Sequence, residues 1–144
     1  MSKAVILSIH PKRAEKIYSG EKEVEWRKTI PTEATPGMPV LLYETAPVCK
    51  VTGLFFWIGK ETLKIREPDF DGQEIHPVAQ RLIDAGCVPL EDLKKYQGAN
   101  GQIYAWNVRG KMKFPKPHQL SDYGLSRAPQ SWQYITIKEL ENAL

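Results

Sequence analysis

Short apolar runs alternate with prolines and glycines along this chain, and the hydrophobic period changes repeatedly between strand and helix. Val5-Ile6-Leu7-Ser8-Ile9 is apolar on both faces and of strand length, and His10-Pro11 closes it. Pro11 suits the first turn of a helix, where its missing N–H costs nothing. Ala14, Ile17 and Tyr18 then fall on one face of a helix predicted over Pro11 to Tyr18, and Gly20 supplies the stop. Glu23 to Lys28 alternates. A strand there places Val24 and Trp26 on one face and Glu23, Glu25 and Arg27 on the other.

A loop rich in Pro, Thr and Gly follows, from Thr29 to Pro39. Val40 to Tyr43 and Lys50 to Ile58 read as strands joined by a turn around Ala46-Pro47. Leu54-Phe55-Phe56-Trp57-Ile58 is apolar on both faces, which predicts a central or helix-covered strand. The middle of the chain reads as a helical insertion over residues 60–96. Lys60 to Arg66 is a short helix candidate. Pro77 to Ala85 is a second, with Val78, Leu82 and Ile83 inward and Gly86 at its end, and Leu90 to Tyr96 is a third. Strands are predicted at Gln102 to Val108 and Ser131 to Ile137, with an extended, proline-rich Phe114 to Leu120 between them. Lys138 to Leu144 reads as a tail or short helix, and Gly98 to Gly101 as a turn. Strand, helix, further strands, helical insertion, strands is the order of an α+β fold. We expect a small mixed β-barrel of about five to seven strands capped by short helices.

A length of 144 residues without repeat, linker or low-complexity tract predicts one domain over residues 1–144. The 42% hydrophobic content excludes a disordered composition. A net charge of +3 fits a nucleic-acid binder and many metabolic enzymes equally, so its distribution matters more. His10, Lys12, Arg13, Lys16, Lys22, Arg27 and Lys28 crowd one stretch, while the acids are spread evenly. Cys49 and Cys87 form no CxxC and read as two reduced, buried, small hydrophobic residues. The start shows no signal peptide, and no apolar run reaches membrane-spanning length, so the cytoplasm is the expected compartment and no membrane partner is expected.

The densest polar cluster is Ser19 to Lys28. Lys22 sits at a helix-to-strand turn, and Glu25 and Arg27 project to one side of the following strand. Arg27 suits a phosphate as a bidentate donor, Lys22 suits a phosphate or acts as a base if buried, and Glu25 accepts a base-edge hydrogen bond or holds Lys22. The alternative is a solvated strand face with weak surface ion pairs.

The opening strand and helix followed by Gly20, Lys22, Glu25 and Arg27 resemble the Gly-x-Lys-x-x-Glu-x-Arg signature of ASCH domains, a branch of the PUA-like superfamily. The resemblance continues at Leu42-Tyr43, Pro47 and Gly53 and returns at Ala128 to Trp132; residues 60–100 match poorly. It implies a β-barrel with a cleft beside the first helix, lined by Lys22, Glu25 and Arg27, and a ligand that is RNA, a nucleotide or a modified base. A regulatory, non-catalytic role belongs to the same reading. A hydrolase in the same cleft is its alternative. The small amidohydrolases of the family, which remove the acetyl group of N4-acetylcytidine, look built on Lys, Thr and Glu. Lys22 matches the lysine, the threonine position falls on Glu25, and the acid aligns near Gly86, with Asp84 close by. Other members resemble ribonucleases, for which Glu25, His10 and Lys22 or Arg27 are the candidate acid–base and phosphate groups. If the protein is an enzyme, Lys22 and Glu25 are the expected catalytic pair.

His10, Lys12, Lys22, Glu25, Arg27, Tyr43, Ser131 and Trp132 make up the expected ligand-binding set. For His10 taken alone, capping or packing before Pro11 is the competing role, and for Ser131 a strand-start hydroxyl. Tyr43 or Trp132 is expected at the cleft and Trp57 and Trp106 in the core. A third reading makes the apolar segment Phe70 to Val88 a protein-interaction surface. His10, His76 and His118 are isolated, so neither a metal nor another cofactor is expected. The oligomeric state is not legible at this level.

Overall fold

The computed structural model describes residues 2–64 and 77–138. Eight strands fall into two sheets. Strand β1 (Ser2–Ile9) leads into helix α1 (Pro11–Ser19), then β2 (Val24–Arg27), β3 (Pro39–Glu44), β4 (Lys50–Phe56) and β5 (Lys60–Leu63). Helices α2 (Pro77–Ala85) and α3 (Leu90–Gln97) and a 3-10 turn (Gly98–Asn100) precede β6 (Ile103–Asn107) and β7 (Arg109–His118). A second 3-10 turn (Leu120–Tyr123) leads to β8 (Trp132–Ile137). Five strands pair in the order β7-β4-β3-β1-β8, and three in the order β2-β6-β5. The mixed α+β class is as expected. The described strands exceed the five to seven anticipated, and they pair as two separate ladders rather than one closed ring.

β1 is an interior strand of the larger sheet, parallel to the central β3 and antiparallel to the edge strand β8. Its odd residues Val5, Leu7 and Ile9 enter a core with Ala14 and Ile17 of α1, Phe55 of β4, and Trp57 and Trp106. Its even residues Ala4 and Ile6 enter a second core with Leu41, Leu54 and Phe114, roofed by Leu120, Tyr123 and Leu125. Both faces are therefore covered, which is why this strand reads as an unbroken apolar run. The smaller sheet shares the first core through Trp106. Its other face, Val24, Trp26, Leu63 and Ile103, packs on Ile83 of α2 and Leu93 of α3.

Several expectations change. Cys49 is exposed and Cys87 only half-buried, because both stand at positive φ in turns rather than inside strands or helices. Of the helix expected over Lys60 to Arg66, the described part is not helical: Lys60–Leu63 is β5, an edge strand paired with β6 from Lys60↔Trp106 to Leu63↔Ile103. Its polar, helix-favouring sequence yields to pairing with a buried neighbour. β7 begins at Arg109, ahead of the proline-rich stretch, and the last of its apolar contacts comes through Phe114. Expectations for residues 65–76, including the Phe70 end of the proposed interaction segment, the Val78 side chain and the chain beyond Lys138 lie outside the described residues. No helix among the described residues is long and apolar enough to cross a membrane.

Candidate functional site

The site starts at the ends of α1. His10 caps the helix, its Nδ1 accepting the Lys12 N–H at 3.2 Å. Gly20 takes the left-handed conformation (φ 90°) and its N–H returns to the Ile17 carbonyl. The Lys22 N–H then bonds the Lys16 carbonyl at 3.0 Å. That fold-back aims the Lys22 side chain inward rather than to solvent.

β2 presents Glu25 and Arg27 to the same side two residues apart, while Val24 and Trp26 serve the third core. The Lys22 Nζ lies 3.3 Å from Glu25 Oε1, with both side chains 1% exposed, and donates as well to the Gly86 carbonyl. Arg27 Nη2 donates to Glu25 Oε2 and to the Ser8 carbonyl, each at 2.8 Å, and Nη1 donates to Ser131 Oγ at 3.2 Å. Ser8 and Ser131 are themselves fixed, since the Ser8 N–H bonds the Ser131 carbonyl at 2.9 Å and Ser8 Oγ donates to the Pro129 carbonyl at 2.7 Å. The ionic row is thus bolted to the end of β1 and the approach to β8. It is not a solvated strand face.

Burial alone would push the Glu25 carboxyl up. Arg27 and then Lys22 outweigh that and hold it below its ordinary value. Burial pulls the Lys22 ammonium below its ordinary value despite the opposing pull of Glu25. With all three groups ionised, two cations share one carboxylate, so the floor of the site carries an excess positive charge. Arg27 Nε and Trp26 Nε1 are buried donors without an acceptor among the described residues.

Above this floor, α1, β2 and α3 enclose a cavity of about 400 Å³ lined by Arg13, Glu25, Trp26, Lys28, Asp92, Lys95 and Tyr96. A second hollow of about 260 Å³ shares Arg13, Val88 and Asp92 with it and adds Lys12, Lys16, Lys22 and Cys87. Cations dominate this lining, with Glu25 and Asp92 as its carboxylates. Tyr96 borders the cavity with Lys28 Nζ 4.9 Å from its ring centre. Burial raises the Tyr96 phenol above its ordinary value, so it stays a neutral donor.

The expected site residues therefore divide. Lys22, Glu25, Arg27 and Ser131 form one buried row, of which Glu25 lines the larger hollow and Lys22, beside Lys12, the smaller, while Arg27 and Ser131 line neither. His10 stands at the head of the same helix as its cap. Trp132 is half-buried, donating to Thr29 Oγ1 at 2.9 Å and meeting Trp106 edge-on at 5.9 Å, outside the cavity lining. Tyr43 lies in the second core, on the same face as Leu41 and away from these cavities. Trp57 and Trp106 are core residues. Gly86 meets Lys22 through its backbone carbonyl, but the Asp84 carboxylate accepts from Gln80 at 2.8 Å and does not join the row. Arg13, Lys16, Asp92 and Tyr96 were not singled out from sequence. Lys12, Arg13 and Lys16 share a helix flank in the basic stretch, which was the available signal; Asp92 and Tyr96 are brought in only by tertiary packing. Among the described residues, no group of three or more His, Cys, Asp or Glu is placed to hold a metal ion.

No family model matches the chain. Among curated proteins it is similar to the large ribosomal subunit protein uL22 of two strains of Ureaplasma parvum serovar 3, each 23% identical over 138 residues. The match takes in 93% of this chain but only 40% of those proteins, so the chain spans about two fifths of their length. Among solved structures it is similar to an ASCH protein of Zymomonas mobilis, with TM-score 0.77 and 19% identity over 97% of this chain and 92% of that one. A Tyr-to-Phe variant of the same protein superposes with TM-score 0.75, and a Ser-to-Ala variant with 0.77, both at 19% identity. They cover 99% and 97% of this chain and 96% and 93% of those chains. Two sheets around a shared core, with α1 leading into the Lys22–Glu25–Arg27 row, constitute in this chain the fold of the ASCH domain.

Proposed function

We propose that the cleft over Lys22, Glu25 and Arg27 binds RNA, or a nucleotide or modified base, as a regulatory or carrier module. The observation that carries this reading is the buried ionic row with its unbalanced positive charge, which reaches two adjoining hollows: Glu25 lines the larger beside Arg13 and Lys28, and Lys22 lines the smaller beside Lys12, Arg13 and Lys16. Net positive charge in a hollow that excludes water on one side selects an anion. The volume of about 400 Å³ is in the range of small-ligand sites. Tyr96, Lys28 and the apolar residues Val88 and Leu93 give that hollow one flat, partly apolar wall suited to a base. Similarity to part of a ribosomal protein favours an RNA setting over a free metabolite.

The test is equilibrium binding of uridine monophosphate and of single-stranded RNA at several salt concentrations, for the wild type and Arg13→Gln. Binding that weakens with salt and with loss of Arg13 is expected. Absence of binding to either probe, or binding indifferent to both changes, overturns the reading.

A hydrolase in the same cleft is the second reading, favoured by the lowered Lys22 ammonium. Lys22 would take a proton from water, with Glu25 holding it in place. Against it, the Lys22 amine already donates to Glu25 and Gly86 and its side chain is 1% exposed. Turnover of N4-acetylcytidine or of an RNA phosphodiester that disappears in Lys22→Met would place this reading first.

A further inference from the structure

A second cationic hollow lies on the far side of the Gly20–Lys22 turn from the cleft. Its volume is about 310 Å³, and its walls include Gly20, Lys22, Glu23, Arg109 and Lys111. Lys22 borders both this hollow and the cleft. The two spaces are therefore separated by little more than the stem of one side chain and the end of α1.

Arg109 and Lys111 belong to β7, the outermost strand of the larger sheet, whose first five residues are all exposed. Pairing of Met112 with Leu54 and of Lys113 with Gly53 makes Lys111 and Lys113 face the α1 side of the sheet, while Phe114 enters the opposite core. The contacts agree. Lys111 Nζ lies 3.5 Å from where a Cβ on Gly20 would stand, and Lys113 Nζ sits 5.7 Å from the ring centre of Tyr18 on α1. Gly110 (φ 63°) marks a shift of register between β7 and β4, which redirects the chain and carries Arg109 into the hollow. Lysines on an edge strand also discourage edge-to-edge pairing. That role does not call for a concave site shared with the cleft.

We propose that Arg109, Lys111 and Lys113 extend the cleft across the end of α1 as a phosphate track, so that the ligand is a single RNA strand several nucleotides long. Lys111 and Lys113, on one face of an extended strand, are about 6.8 Å apart along it, a spacing comparable with the phosphate repeat of an extended nucleotide strand, and Arg109 joins them across the register shift at Gly110. The base-binding cavity would hold one nucleotide, and the track would hold the backbone that leads away from it. This inference rests on the cleft reading above.

The experiment is fluorescence anisotropy with labelled oligouridylates from a dinucleotide to a dodecanucleotide, for the wild type and a variant carrying Arg109→Gln, Lys111→Gln and Lys113→Gln. Wild-type affinity is expected to rise with length. The triple variant is expected to keep its dinucleotide affinity and lose much of that rise. Its salt slope on the longest strand should fall by about 2, and its affinity roughly a hundredfold at ~0.1 M salt if the contribution is counterion release. All three positions are exposed, so an unchanged unfolding midpoint is expected for the triple variant. Should that midpoint fall, Lys111→Gln and Lys113→Gln measured singly must each reduce the length dependence, or the track is refuted. Tight dinucleotide binding with no gain from length refutes the track and leaves the cleft standing. Binding of no strand at any length removes the cleft reading and the track with it.

Discussion

Replacing Glu25 by Gln keeps the shape of the ionic row and deletes its charge balance. The carboxylate oxygens lie 3.3 Å from Lys22 Nζ and 2.8 Å from Arg27 Nη2, and the Lys22 and Glu25 side chains are almost wholly out of water. Removing one partner from a buried pair typically costs 3–5 kcal/mol, about a third of the stability of an ordinary domain. At roughly 3 °C per kcal/mol for a chain of this size, the unfolding midpoint at neutral pH should fall by about 10–15 °C. The deficit should shrink as pH rises. Burial already holds the Lys22 ammonium low, and losing Glu25 lowers it further. Once Lys22 loses its proton in the folded state the unfolded chain binds one proton more, so stability rises with pH from the folded-state value up to the ordinary lysine value of 10.5, where the unfolded chain is neutral too. Adding Lys22→Met to Glu25→Gln should recover about 1–3 kcal/mol of the loss, because the two substitutions are coupled. Circular dichroism melts of the wild type, Glu25→Gln, Lys22→Met and the double variant at neutral and mildly alkaline pH make the measurement. If Glu25→Gln melts within about 2 °C of the wild type, or if the double variant is no better than the single, the three charges do not act as one unit.

Other tests address the same architecture. Because the Glu25 carboxyl is held below its ordinary value of 4.5, its contribution is complete above that value and lost as pH falls through the folded-state value. In acid titration the stabilities of wild type and Glu25→Gln should therefore begin to converge as pH falls below 4.5 and meet once it has passed the lower folded-state value. Gly86→Ala would place a Cβ 1.9 Å from Trp26 Nε1, and Trp26 is pinned in the third core, so a loss of about 1–3 kcal/mol is expected in chemical denaturation, more if the α2 end cannot shift. Arg13→Gln removes an exposed cation that lines both parts of the cleft. Its melting temperature should stay within about 1 °C of wild type while the salt slope of RNA binding drops by about 0.7, and a larger thermal effect would mark Arg13 as structural.

Much of this could be read along the chain because local and tertiary demands agree. Pro11 at the helix start and Gly20 at its end bound α1 within one residue of expectation, and strict alternation in β2 assigns Val24 and Trp26 to one face and Glu25 and Arg27 to the other. What escaped depends on partners distant in sequence. Lys60–Leu63 looks helical until β6 lies beside it. Tyr43 sits beside the signature-like strands in sequence, yet the pleat that buries Leu41 in the second core carries Tyr43 there too. Asp92 and Tyr96 are one helical turn apart on α3, and only the packing of α3 over β2 makes them walls of the cleft. The burial of Arg27 likewise needs Ser8 and Ser131, which come from opposite ends of the chain.

That last pairing has a consequence for biosynthesis. Ser2 lies opposite Ile137 and Leu7 opposite Trp132, so one edge of β1 stays bare until residues 132–137 have left the ribosome. The hydroxyl that steadies the guanidinium arrives with that closing strand. Contacts of such long sequence separation slow folding. A nascent chain halted before residue 131 would hold α1, β2 and the lysine without the hydroxyl that clamps the arginine, so the ionic row closes only when β8 arrives.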